Sequence, residues 1–376
     1  MRKDPYHPIA GRKAYGGTVK GRVLVAGFAT RHVAQFAAAA GYEVCAVDHF
    51  CDQDLAWYTK DQMRFDELDD LPDAVDRMSQ KHAFDMLVVT SGAEDLGSAI
   101  PLCGTPQDRV RSFLDKLDMQ HFFEGLDIPI PRLAGAGEYP AMVKPRRGAG
   151  GWRNAVIRNK AEEEEWVARY PGIPYIRQQV IEGVPASVCC VTNGSAAKAL
   201  AANEQLLRGS GESAFGFCGS ITPFDHPVCD RMMGLAEKIA AASGCTGTIG
   251  IDFVIGGDTP YAIEVNPRFQ GTADTVEAAY SSNLFVAHVD ACGGDLPVCR
   301  WRPVRYAARS ILFADRDMVL KGDLKRLAPV VADIPWPGTF FEDEQAIVSV
   351  NGTGTSRDEA LSVLDKNIST VRQYIR

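Results

Sequence analysis

The chain has 376 residues, 46% of them hydrophobic and 23% charged, with a net charge of −8. That length suits two or three packed units with a sizeable core, and the acidic balance argues against a general nucleic-acid surface. No uninterrupted apolar run approaches a membrane span, no apolar leader segment follows the basic start, and the ten cysteines are scattered without metal-type spacing. A cytoplasmic protein with reduced, mostly buried thiols is therefore expected, with no membrane or nucleic-acid partner.

Residues 1–21 read as a flexible basic arm, rich in Arg, Lys, Gly and Pro. Residues 22–104 read as a parallel, doubly wound unit. It has strand Arg22 to Gly27, an alanine-rich helix Arg31 to Ala40, strand Glu43 to Asp48, a helix near Asp69 to Lys81 and a third strand Asp85 to Thr90. The first turn, Gly27-Phe-Ala-Thr-Arg-His, has one glycine where a dinucleotide fingerprint needs three, so the unit is a scaffold. Gly92, Glu94 and Asp95 follow a strand end, where such sheets meet substrates.

Residues 105–183 begin with a helix, Gln107 to Gly125, that carries Lys116. Strand Ala141 to Lys144 leads into a basic turn, Arg146-Arg147-Gly148-Ala149-Gly150-Gly151, and a returning strand Asn154 to Ile157. An acidic helix (Ala161 to Arg169) and the strand Tyr175 to Ile181 complete the unit. Lysine at a strand end followed by flexible glycines suits a polyphosphate, although a surface hairpin has the same composition. No Walker A loop is present.

Residues 184–300 hold a hairpin, Thr248 to Ile255 and Tyr261 to Val265, around Gly256-Gly257-Asp258. Strand alternation places Asp252 opposite Glu264, with Asn266 on the same face, a hard-oxygen set for Mg²⁺ or Mn²⁺. The other reading is an ordinary polar hairpin, but Ile251, Phe253, Val254, Ile263 and Val265 make the surroundings apolar, and facing carboxylates there require a cation. The stretch from Asn203-Glu204-Gln205 to Gly219-Ser220-Ile-Thr-Pro223 is a candidate lining for an acceptor pocket, or simply a connecting segment. Residues 301–376 read as a C-terminal subdomain with strand Ala346 to Val350 and a final amphipathic helix.

With Lys116, Lys144, the glycine loop, the segment Tyr175-Ile-Arg-Gln-Gln-Val-Ile-Glu-Gly183 and the string Glu264-Val-Asn-Pro-Arg268 in this order, the chain resembles the ATP-grasp superfamily. The resemblance is to carboxylate–amine ligases related to biotin carboxylase and carbamoyl-phosphate synthase. It implies an α/β (α+β grasp) fold: a Rossmann-like N-terminal domain, a two-part ATP-grasp domain and a small C-terminal segment. It implies that Asp252, Glu264 and Asn266 hold Mg²⁺ on ATP, that Lys116, Lys144, Gly148, Gly150 and Gly151 hold the phosphates, and that adenine lies against Gln178, Gln179, Val180 and Ile181. Glu182 is the nearest candidate for the ribose, because Val184-Pro185-Ala186 stands where many members carry a carboxylate. Gly250 replaces an arginine that some ligases place two residues before the first metal carboxylate. Arg268, Arg146 or Arg147 would cover that role, so Arg268, Lys144 and Arg147 are the expected catalytic residues.

The implied reaction activates a carboxylate as an acyl phosphate and captures it with an amine, for example an amino acid such as glutamate added to a small biosynthetic intermediate. The chain has no nucleophile elbow and no H-E-x-x-H motif, which agrees with chemistry that needs charge neutralisation more than a protein nucleophile. The alternatives are a bicarbonate-activating carboxylase-like enzyme and a non-catalytic ATP-binding protein. Small-molecule carboxylate and amine substrates are the expected partners, and a homodimer follows family habit.

Overall fold

The computed structural model describes residues 19–148, 150–209 and 213–375. Most of the basic arm, Ala149 of the glycine loop and residues 210–212 of the acceptor segment lie outside these described residues. Among them, no helix is long and apolar enough to cross a membrane.

The first unit contains β1 (Arg22–Gly27), α1 (Arg31–Ala39), β2 (Glu43–Asp48), β3 (Asp61–Arg64), α2 (Leu71–Lys81) and β4 (Met86–Val89). The strands form a parallel sheet in the order β3-β2-β1-β4. Val23 to Ala26 and Val44 to Val47 are buried, as expected of strands covered on both faces. The edge strand β3 is an addition to the expected elements. Its sequence, Asp61-Gln-Met-Arg64, carries none of the apolar signal of its neighbours, because an edge strand can be short and polar. Asp48 ends β2 and accepts hydrogen bonds from the Thr30 amide and hydroxyl and from the amides of Phe50 and Cys51. The carboxylate thus ties the β1 and β2 loops together, consistent with a scaffold.

The helix expected over 107–125 is two helices, α3 (Gln107–Leu114) and α4 (Lys116–Glu124). Asp115 is extended and its side chain accepts from the Leu117 amide, an N-cap that breaks the run while the apolar spacing continues through it. Lys116 therefore opens a helix. A small antiparallel sheet follows in the order β6-β5-β7, from β5 (Ala141–Pro145), β6 (Ala155–Ile157) and β7 (Tyr175–Gln179), with α5 (Lys160–Arg169) against it.

The remaining elements are β8 (Val184–Asn193), β9 (Ala197–Leu207), β10 (Phe217–Thr222), α6 (Cys229–Ala242), β11 (Thr246–Gly256), β12 (Thr259–Asn266), α7 (Ala273–Tyr280) and α8 (Leu284–Cys292). After these come β13 (Tyr306–Phe313), β14 (Met318–Val319), β15 (Val331–Ala332), β16 (Phe340–Phe341), β17 (Ala346–Gly354) and α9 (Arg357–Ile375). Eight of these strands form one sheet in the order β12-β11-β8-β9-β10-β13-β17-β15. The strands beyond residue 301 therefore extend the sheet that carries the hairpin, and no sheet boundary falls at the expected start of a C-terminal subdomain.

One apolar cluster runs from Val23, Val33 and Phe36 of the first unit to Phe269 of the loop before α7 and Leu284 and Phe285 of α8. Each large apolar side chain in it contributes roughly 1.5–3 kcal/mol of burial. This shared core joins the parallel-sheet unit to the helices beside the large sheet.

Candidate functional site

β11 and β12 pair in the register expected of the hairpin. Asp252 faces Glu264, Gly250 faces Asn266, and the turn closes through Gly257 at φ 58°. A bulge between Asp252 and Phe253 interrupts the pairing just past the carboxylates and re-aims Ile263 into the crevice below. Burial, and then the facing charge of Glu264, push the Asp252 carboxyl up to about 7. Two glutamines steady it: Gln205 and Gln270 each donate from Nε2 to Asp252 Oδ1, at 3.0 and 2.9 Å. The space at Gly250 explains how Gln270 reaches it. A Cβ there would lie 1.7 Å from Gln270 Cδ, so the glycine clears a path for the amide across the strand.

Asn266 donates from Nδ2 to Asp252 Oδ2 at 3.0 Å, and its oxygen accepts from Arg268 Nη2 at 3.1 Å. A half-turn of the amide would exchange the two atoms and aim the oxygen at the carboxylates. Arg268 also donates from Nε to Glu94 Oε1 at 2.6 Å. Glu94 lies in the loop after β4, where its other oxygen accepts from the Gly92 amide. The pair ties the mouth of the parallel sheet to the hairpin.

Lys116 Nζ lies 3.5 Å from Glu264 Oε1 and donates to the Gly148 carbonyl at 2.7 Å. Lys144 is buried, which lowers its ammonium to about 8 although Glu264 pulls the other way. The two lysines and the hairpin carboxylates thus form one cluster. Lys144, Ile176 and Gln178 share a face of the small sheet and, with Lys116, Met119, Gln120, Phe123 and Ile263, line one crevice. Gln178 donates to Gln120 Oε1 at 2.7 Å, and its own Oε1 is buried without a partner.

Some expected residues stand elsewhere. Gln179, one residue on, turns to the opposite face of β7, is exposed, and has its amide bound to the Arg132 carbonyl at 2.8 Å. Val180 is half-buried, and Ile181 and Glu182 lie against Gly256 at the hairpin tip. Arg146 pairs with Asp115 at 2.8 Å beside Arg147. Arg147 and Gly148 are exposed, and Gly150 and Gly151 have positive φ. Gly151 approaches the Phe215 carbonyl, so the glycine loop meets the 213–217 segment.

In the proposed acceptor stretch, Asn203 and Thr222 are buried in a network with Ser187 and Thr275, and Glu204 pairs with Arg357 at 2.7 Å. Of these polar residues, Gln205 reaches the site. Gln205, Gln270 and Glu94 are the participants that give no motif. Glu94 had a positional signal in the strand end before it, and Gln205 stood in the candidate acceptor stretch.

The donor set fits a hard divalent cation and a nucleotide. Two carboxylates and an amide oxygen match magnesium chemistry, and the orphaned Gln178 oxygen can accept from a donor. Asp252 holds a proton up to about pH 7 that a free aspartate loses near pH 4. Its raised value therefore penalises the folded state as pH rises from about 4 to 7, and a cation removes that penalty. Mg²⁺-dependent ATP affinity is expected to fall roughly tenfold per pH unit below pH 7, with about one proton released on binding. Calorimetry in buffers of different ionisation enthalpy checks this; proton-independent binding would contradict it.

Residues 113–272 match the family described as the ATP-grasp domain. The chain shares its fold with solved structures over more than nine-tenths of its length. It superimposes with TM-score 0.73 and 15% identity on an N5-carboxyaminoimidazole ribonucleotide synthetase with ADP, covering 94% of this chain and 97% of that one. It does so with TM-score 0.68 and 16% identity on the L-amino acid ligase of Bacillus licheniformis, covering 94% and 98%.

Among curated sequences it is 27% identical over 194 residues to the arginine-specific carbamoyl phosphate synthase large chain of Lactiplantibacillus plantarum, covering 48% of this chain and 19% of that protein. The chain spans about a fifth of the length of the carbamoyl phosphate synthase large chains it matches. It is 22% identical over 363 residues to an uncharacterized protein of Methanocaldococcus jannaschii, covering 89% of this chain and 88% of that one.

Proposed function

We propose that the protein is an ATP-dependent ligase that activates a carboxylate as an acyl phosphate and joins it to an amine, releasing ADP and phosphate. The observation that carries this reading is the facing pair Asp252 and Glu264 with Lys116 and Lys144 in the same cluster. Asp252, Glu264 and Asn266 would hold Mg²⁺, which neutralises phosphate charge when bound. Lys144 and Lys116 would take the phosphates, and the glycine loop would close over them to exclude water. Gln178 would orient the adenine.

Arg268, held by Glu94 beside Asn266, would position the substrate carboxylate. Phe28, His49 and Phe50 stack at the carboxyl ends of β1 and β2, and the Phe28 amide binds the Ser91 carbonyl of the loop that carries Glu94. A non-nucleotide substrate entering there would meet this aromatic surface. An amino acid such as glutamate joined to a small intermediate fits that arrangement of cationic and apolar contacts.

A screen of carboxylate and amine pairs for ADP release tests the reading. Turnover that requires both partners is expected. AMP as product would contradict an acyl phosphate, turnover driven by bicarbonate would point to a carboxylase, and ATP binding with no turnover on any pair would favour a non-catalytic role.

A further inference from the structure

The cysteines read in sequence as isolated small hydrophobes, yet the fold brings two of them together. Cys103 lies in the segment after β4, and Cys292 ends α8 one helical turn beyond His288. The two Sγ atoms and a ring nitrogen of His288 lie within 4.8 Å of one another, and both thiols are half-buried rather than sealed in the core. The backbone on either side is anchored. The Cys103 amide binds the Leu87 carbonyl at 2.8 Å, and the Gly104 carbonyl accepts from Thr246 Oγ1 at 2.6 Å.

A Cys₂His group invites a metal reading, but the imidazole is committed otherwise. The Thr248 amide donates to Nδ1 at 2.8 Å, so Nδ1 carries no proton, and Nε2 lies 2.9 Å from the Cys103 carbonyl, which can only accept. His288 is therefore the neutral Nε2–H tautomer with both nitrogens occupied by backbone groups. A metal on Nε2 would have to displace that proton and break the bond to Cys103. Nε2 also lies 3.8 Å from Cys292 Sγ, so the ring sits beside the thiol pair without ligating it.

We propose that Cys103 and Cys292 form a redox-active thiol pair, a site at which low-molecular-weight disulfides oxidise the protein to an internal Cys103–Cys292 bond. Hydrogen bonding from the Cys292 thiol lowers the Cys103 thiol and favours Cys103 as the attacking sulfur, and the two Sγ atoms stand within 4.8 Å of each other for the second step. Its thiolate attacks one sulfur of the incoming disulfide, forming a mixed disulfide and expelling one thiolate. Cys292 then loses its proton to solvent and attacks Cys103 Sγ, and the second small thiolate leaves. Both expelled thiolates are protonated. The two protein thiols supply two electrons, and the small disulfide is reduced to two thiols.

The full chain treated with oxidised glutathione tests this. Peptide mapping is expected to find a 103–292 cross-link and two of the ten thiols lost. Cys292→Ser should trap glutathione on Cys103, and Cys103→Ser should abolish both products. A glutathione adduct confined to the exposed Cys299 would overturn the proposal. So would one on Cys103 that never resolves in the unaltered protein. A stoichiometric Zn²⁺ complex that protects Cys103 and Cys292 from alkylation would overturn it in favour of a metal site.

Discussion

Glu264→Ala is expected to abolish the Mg²⁺-dependent stabilisation of the protein by ATP while the ligand-free protein melts at or slightly above its original temperature. The reason lies in the charge balance of the hairpin. Glu264 is the second contributor, after burial, to the raised Asp252 carboxyl, so removing it lets Asp252 ionise more easily and relieves the folded state. Lys116 loses a partner at 3.5 Å but keeps the Gly148 carbonyl at 2.7 Å. What disappears is the second carboxylate for a cation, and turnover should fall by at least ~100-fold. A thermal-shift titration with ATP, with and without Mg²⁺, separates the two effects. Equal ATP stabilisation of mutant and parent would remove the metal assignment, and a mutant that fails to fold would contradict the electrostatic account.

The second large effect concerns stability. Arg31 of α1 reaches Asp274 at 2.7 Å, Asp333 at 2.9 Å and Asp54 at 3.6 Å, and Arg309 of β13 pairs with the same Asp274 and Asp333. Burial works against the Asp274 charge, yet Arg31 and Arg309 overcome it and bring the carboxyl down to about 2; Asp333 is lowered in the same way. The cluster joins the parallel-sheet unit, α7 and the strands beyond residue 301.

Asp274→Ala leaves two buried guanidinium groups short of a partner and is expected to cost about 3–5 kcal/mol. A shift of the urea midpoint with unchanged slope measures it, and a loss under 1 kcal/mol would show the pairing to be replaceable. Because the Asp274 carboxyl is depressed, its contribution is complete above about pH 4 and is lost as pH falls toward 2. The difference between parent and mutant should therefore narrow over that interval.

The hairpin was legible because strand alternation is a local rule. Two carboxylates and an amide at those spacings, among apolar neighbours, fall on one face whatever else the chain does. The break at Asp115 was less so. Its capping role was written in the residue, but the apolar spacing ran across it, and a helix boundary depends on which signal packing rewards. β3 gave no signal at all, since an edge strand needs little apolar surface. Gln179 shows the limit of reading a segment as a unit, because alternation sends its side chain away from the crevice that Gln178 lines.

By itself the sequence determined the order of the lysines, the glycine loop and the Glu264-Val-Asn-Pro-Arg268 string, and with it the pairing of Asp252 against Glu264. Only the tertiary structure decided which polar side chains converge on that pair. Gln205 and Gln270 come from another strand and from the loop before α7, Glu94 from the parallel sheet, and the space at Gly250 has meaning only once Gln270 fills it. The same holds for Arg31, 243 residues from Asp274, and for the meeting of Cys103 with Cys292. Single polar residues at such separations carry no periodicity. Their partners are set by how the sheets pack and by the cost of leaving a buried charge or hydrogen-bonding group unpaired.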